Sequence, residues 1–313
     1  MDPRDLPEIK SDMIEFHRSL DPLMFYRMAG SSFDQIMAPQ GRRMDGEMMD
    51  DLWHMHDETL SNASLFYVTS EMTEKILEAS KTIPDFLPTH LDPPSIHGII
   101  YMEGLEQTPW GEHGARSRSS AAFSWSCIGT SAGSLFSIGH LIDFSSGKSF
   151  RYKESMYNNI RAIGMIPPRM LPASLVPWQI GSAGKDEFYS SSEGEAARQG
   201  TMPLLKAAWM MLQQEELVDT SEVESSRGSA KRIRRSGNEP SKVRIVDINR
   251  RRYASHGREQ YAREYDHRWK VRGHWRNQWY PSRGVHRPRW IEEHVRGPED
   301  APLIERDTVY RLR

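Results

Sequence analysis

The chain has 313 residues, a formal net charge of -2 and one cysteine, Cys127. A lone thiol excludes a disulfide-stapled secreted scaffold. A mean hydropathy of -0.67, with no apolar run near the roughly 20 residues a bilayer requires, excludes a membrane-spanning helix. The near-neutral total hides an asymmetry: residues 228–313 carry 22 basic and 11 acidic side chains, leaving 19 basic and 32 acidic in the rest. Charge separated in this way calls for an anionic partner for the basic part, or for docking of the two parts on each other.

In chain order, Met13, Phe16 and Leu20 recur at helical spacing and predict a short helix. Met48, Leu52, Met55 and Leu60 predict an amphipathic helix from Asp45 to about Asn62, its Met-rich stripe being core filling. Leu65 to Thr69 reads as a strand, followed by a helix from Ser70 to about Lys81. Ile96 to Met102 is a second strand. Ala121 to Ile128 alternates, with Phe123, Trp125 and Cys127 on one side, and Leu135 to Phe144 is a further apolar run. The Gly-bounded connection between these two reads as a hairpin. Residues 145–200, with Pro167, Pro168, Pro172 and Pro177, read as loop-rich. Thr201 opens a helix to about Leu217, with Pro203 in its first turn. Residues 219–241 have few apolar groups and no periodicity, and read as a linker.

The segment from Arg268 to Gln278 has a period of two. Trp269, Val271, Gly273 and Trp275 alternate with Arg268, Lys270, Arg272, His274 and Arg276. Alternate strand residues share a face, so one strand with an aromatic side and a cationic side is expected. Lys242–Ile248, Arg289–Val295 and Thr308–Arg313 read as its companions in a four-stranded antiparallel sheet. Cations for phosphate and rings for bases are what a nucleic-acid surface needs. Arg250 to Arg252 and the Lys231–Arg235 stretch add to the field. The same row is also consistent with a solvated face over a small aromatic core, or with docking onto the acidic part.

Other motifs are weaker. Gly129-Thr130-Ser131-Ala132-Gly133 matches the nucleophile elbow of Ser hydrolases, and a hairpin turn explains it as well. His54-Met55-His56-Asp57-Glu58 reads as a solvated helix face, since residues two apart do not face each other. His256, His267, His274, His286 and His294 lack the tight spacing of a zinc site, so no metal is expected. His274 or His294 with Glu292 or Glu293 would suit a small nuclease. No phosphate-cradling glycine motif occurs, and no cofactor is expected. Cys127, in apolar company, reads as a buried hydrophobe.

Leu65 to Met72, the helix around Trp209, the run His267-Arg268-Trp269-Lys270-Val271-Arg272-Gly273-His274-Trp275-Arg276, and the later Trp290–His294, Arg296–Pro298 and Ala301–Leu303 resemble a group of proteins from actinobacteria, their plasmids and their phages. That group has no established activity. The resemblance implies a mobile-element or phage setting in the bacterial cytoplasm, and no mechanism.

The expectation is therefore an α+β chain. It has an acidic mixed domain (residues 1–218), a linker (219–241) and a basic Trp-rich β module (242–313). Arg268, Lys270, Arg272, His274 and Arg276 are the candidate nucleic-acid contacts. DNA or RNA is the expected partner, a host or phage protein is the alternative, and no membrane is involved.

Overall fold

The computed structural model describes residues 1–30, 44–105, 122–130, 133–144, 151–181, 200–249, 266–298 and 300–304. Helix α1 (Leu6–Arg18) and a short α2 (Pro22–Phe25) open the chain, followed by α3 (Gly46–Asn62), strand β1 (Ser64–Val68), α4 (Ser70–Ser80) and β2 (His97–Met102). The Asp45 carboxylate accepts from the Met48 amide at 3.0 Å and fixes the start of α3. The hairpin β3 (Ala122–Thr130) and β4 (Gly133–Asp143) comes next, then α5 (Arg151–Ala162), β5 (Met170–Gly181) and α6 (Met202–Leu212). The chain continues through β6 (Val218–Val223), α7 (Arg227–Arg235) and β7 (Val243–Ile248). It finishes with four short strands: β8 (Trp269–Val271), β9 (His274–Tyr280), β10 (Val285–Ile291) and β11 (His294–Arg296).

Seven strands form one mixed sheet in the order β5-β4-β3-β2-β1-β7-β6. β1 lies at its parallel heart, paired with β2 on one side and β7 on the other, and every other pairing is antiparallel. A strand covered on both faces must be apolar throughout, and Leu65 to Val68 are all buried. One face of the sheet offers Phe66, Val68, Ile100, Met102 and Trp125 to Met72 and Ile76 of α4 and to Leu205 and Trp209 of α6. The other offers Leu65, Tyr67, Ile99 and Tyr101 to Ile9 and Met13 of α1 and to Leu60 of α3. Gly98 of β2 lies directly beneath the Trp125 ring, in space that a Cβ would need. Among the described residues no helix is long and apolar enough to cross a membrane.

The α+β class is as expected, but three assignments change. Val243–Ile248 does not join a C-terminal sheet; as β7 it pairs in parallel with β1, and Thr69 Oγ1 donates to Asp247 at 2.8 Å. Residues 219–241 carry β6 and α7, and both pack on the main sheet or its helices. Residues 145–200 contain α5 and β5. Pro172 and Pro177 stand within β5, which is an edge strand, where a missing N–H can face outward.

Candidate nucleic-acid interface

The C-terminal residues form two two-stranded ribbons rather than one four-stranded sheet: β9 with β10, and β8 with β11. The expected single strand is broken at Arg272-Gly273. The cause lies outside the segment's own alternation. The Trp290 indole lies over Gly273, and a Cβ there would stand 2.5 Å from its ring. Trp290 is 7 % exposed and belongs to the core of the main sheet. Trp275 meets it edge-on, with ring centroids 5.2 Å apart. The Trp275 Nε1–H donates to the Ala79 carbonyl at 2.8 Å, joining the Thr82 amide as a second donor to the last turn of α4. The inner aromatic side of the motif is thus real, but its partner is the main core. Thr308–Arg313, the fourth expected strand, lies outside the described residues, as do Arg250 to Arg252, His256, Glu299 and the Ser131 of the elbow motif.

The breakpoint divides the five candidate cations. Arg268 is tied to the chain end: its Nε donates to the Ala301 carbonyl at 2.7 Å, and its backbone bridges Leu303. Lys270 on β8 is half exposed and pairs with Glu293 at 2.8 Å. Arg272 is exposed at the break. His274 and Arg276 stand two apart on β9, both exposed. The His274 ring lies 3.0 Å, through Nδ1, from the Arg272 carbonyl, and Arg276 donates to the neutral Gln278 side chain at 2.8 Å. Trp279 of the same strand is 46 % exposed and packs against the His286 ring.

Carboxylates of the main domain do meet arginines of this module, but different ones. Asp92 is fully buried, and it accepts from Arg287 Nε at 2.8 Å, Arg287 Nη2 at 3.0 Å and Arg283 Nη2 at 2.7 Å. Burial by itself would raise the Asp92 carboxyl. The hydrogen bonds from Arg287, the Thr89 amide and Arg283 outweigh it and hold the group below the ordinary range. Arg289 pairs with Glu216, and Arg287 also stacks over Phe86. Lys75 of α4 reaches Glu292 at 2.8 Å. Arg283, Arg287 and Arg289 anchor the ribbon; sequence reasoning passed over them because their counter-charges lie in two distant loops.

The remaining motifs resolve simply. The elbow pentapeptide joins β3 to an antiparallel β4, with Thr130 paired to Gly133, so the strand-to-helix turn of a hydrolase is not formed. His56 departs from the solvated reading: it is buried, stacked on Phe25, with the His17 ring 5.0 Å away. The α1–α3 crossing draws it inward, while Asp57 stays outside and pairs with Arg18. His294 places its ring 2.9 Å from the Glu292 carbonyl. Neither it nor His274 faces a carboxylate among the described residues, as a nuclease pair would require. No group of His, Cys, Asp and Glu suited to a metal occurs among the described residues. Burial, with the Asp92 charge adding, pushes the Cys127 thiol up to about 12, so it remains an unreactive thiol.

No family model and no curated protein matches the sequence. Among solved structures, the chain is similar to a crystal structure of AcrVA2. The TM-score is 0.42 at 15 % identity, over 90 % of this chain and 85 % of that one.

Proposed function

We propose that this protein binds nucleic acid through the exposed cations of its C-terminal ribbons, with Lys270, Arg272, His274 and Arg276 meeting the sugar–phosphate backbone. The observation that carries the reading is the sorting of charge within the module. Asp92 and Glu216 engage Arg283, Arg287 and Arg289, whereas Lys270, Arg272, His274 and Arg276 are exposed, with Lys270 paired to Glu293 of its own module. Residues two apart on a strand are separated by about 6.8 Å, a spacing suited to successive phosphates. The likeness of His267–Arg276 to proteins of actinobacterial mobile elements and phages supports a setting in which DNA or RNA is handled.

Binding through phosphates releases counterions, so affinity should fall steeply with salt. Anisotropy titrations of a labelled oligonucleotide at two salt concentrations test this. The combined variant Lys270→Gln, Arg272→Gln, Arg276→Gln should bind weakly and with a shallower salt slope. Equal affinity and slope for the variant and the unaltered protein would overturn the reading. Arg268 is left out of the variant because its Nε–Ala301 bond is structural.

A further inference from the structure

The nine-residue helix α7 is built in two halves of different character. Its inner side is fixed to α1. Ser229 and Ile233 are buried, Arg232 grips Glu8 with two bonds of 2.5 and 2.6 Å, and Ser236 meets Ser11 at 3.0 Å. Its outer side carries Arg227, Lys231 and Arg234, all exposed, with Arg235 exposed beside them. These positions are three and four apart, so they form one stripe along the helix.

Nothing in the fold calls for that stripe. The first turn of α7 contains no acidic residue, and Arg227 occupies it instead, where the helix dipole favours an anion. Arg227 and Lys231, and Lys231 and Arg235, are like-charged neighbours one turn apart, which weakens a helix. Among the described residues Arg227 and Lys231 meet no carboxylate, and Arg234 meets only the exposed Glu239 at 3.9 Å. Arg232 differs: its charge is answered by Glu8, and it anchors the helix. Hence the anchoring cation is separate from the outer three, which repel one another until an anion arrives.

From this geometry we infer that α7 is a second phosphate-contacting surface, on the side of the sheet opposite the ribbons. α7 packs on α1, which covers the Leu65–Tyr67 face, whereas Trp290 and Trp275 pack on the Phe66–Val68 face. The inference takes its class of partner from the nucleic-acid reading and its site from α7 alone. A strand of phosphates fits a line of point charges one helical turn apart.

The test uses the full chain, a labelled single-stranded oligonucleotide, its duplex, and vesicles of mixed phosphatidylserine and phosphatidylcholine. The variant Arg227→Gln, Lys231→Gln, Arg234→Gln changes only the outer face, and its melting curve should match that of the unaltered protein. Its oligonucleotide affinity is expected to fall about tenfold at low salt, with a salt slope shallower by about two, the release from three contacts. The charge-keeping variant Arg227→Lys, Arg234→Lys should restore both. Unchanged affinity and slope in the Gln variant, while the ribbon variant loses binding, would overturn the α7 surface and spare the ribbon reading. The reverse pattern would uphold α7 and overturn the ribbon. Binding to vesicles but to neither oligonucleotide would overturn both.

Discussion

β9 and β10 are two strands of one hairpin, and their arginines face each other: Arg276 lies opposite Arg289, and Gln278 opposite Arg287. Yet the strands use charge in contrary ways. On β10, Arg287 is buried against a fully buried carboxylate and Arg289 reaches Glu216, so these cations hold the hairpin to the body of the protein. On β9, Arg276 and His274 share that face but are exposed, and among the described residues they meet only neutral groups. A count of basic residues treats both strands alike. Burial and the position of the counter-charge separate an anchor from a contact surface.

The sharpest way to break this contrast is to remove the anchor. Asp92→Ala would leave two arginines facing one another at a buried site, and losing one partner of a buried ion pair costs about 3–5 kcal/mol. Urea unfolding should show that loss, together with a change in Trp fluorescence as Trp275 and Trp290 leave the core. A variant as stable as the parent would show that the arginines do not anchor the hairpin.

The second expectation concerns the opposite end of the molecule. Burial lowers the His17 ring to about 4, against a smaller opposing pull from the Trp53 carbonyl, and drives His56 well below its ordinary value. Both rings are therefore neutral in the folded state, and the unfolded chain takes up protons first. Stability should be full above about pH 6.5 and decline as pH falls towards 4, with His17 contributing up to about 3 kcal/mol for a shift of this size. Denaturation at pH 7 and pH 5 measures the decline. In His17→Gln the difference between the two pH values should shrink, and an undiminished difference would assign the effect elsewhere.

Smaller effects sharpen the comparison further. Gly273→Ala forces a methyl against the Trp290 ring and should cost about 1–3 kcal/mol, as overpacking does. Gly46→Ala, where the added carbon meets open space, should cost nothing measurable and serves as its control. Smallest of all, Arg276→Ala should leave unfolding within about 0.5 kcal/mol of the parent, while weakening oligonucleotide binding. A stability loss equal to that of an anchoring arginine would erase the distinction between β9 and β10.

What could be read from the sequence follows from the range over which each residue is constrained. The helices α3 and α4 and the strands β1 to β4 are governed by their own periodicity and caps, and their expected bounds are close to those observed, whereas α6 ends at Leu212, short of the expected Leu217. α7 was missed because Ile233 is the one large apolar side chain among its nine residues, so it shows no hydrophobic repeat. β5 was missed because Pro172 and Pro177 are tolerated only by virtue of its edge position. β7 had a strand-like sequence, but its partner β1 lies 178 residues away at the Thr69–Asp247 contact, a distance that no local pattern spans. At the candidate interface the exposure of Lys270, Arg272, His274 and Arg276 was legible as alternation. The break at Gly273 was not, because Trp290 imposes it from another strand.

The parallel seam between β1 and β7 bears on how the protein is made. β1 leaves the ribosome early and acquires β2 on one edge, but its other edge has no hydrogen-bonding partner until residues 243–248 emerge. Throughout that interval the nascent chain presents an apolar strand edge of the kind that recruits other chains. Trp290, later still, completes the core that α4 and α6 form with the sheet. Synthesis that stalls or terminates between these points should yield aggregates rather than a smaller folded unit, and a chaperone that holds the growing chain would act during that window.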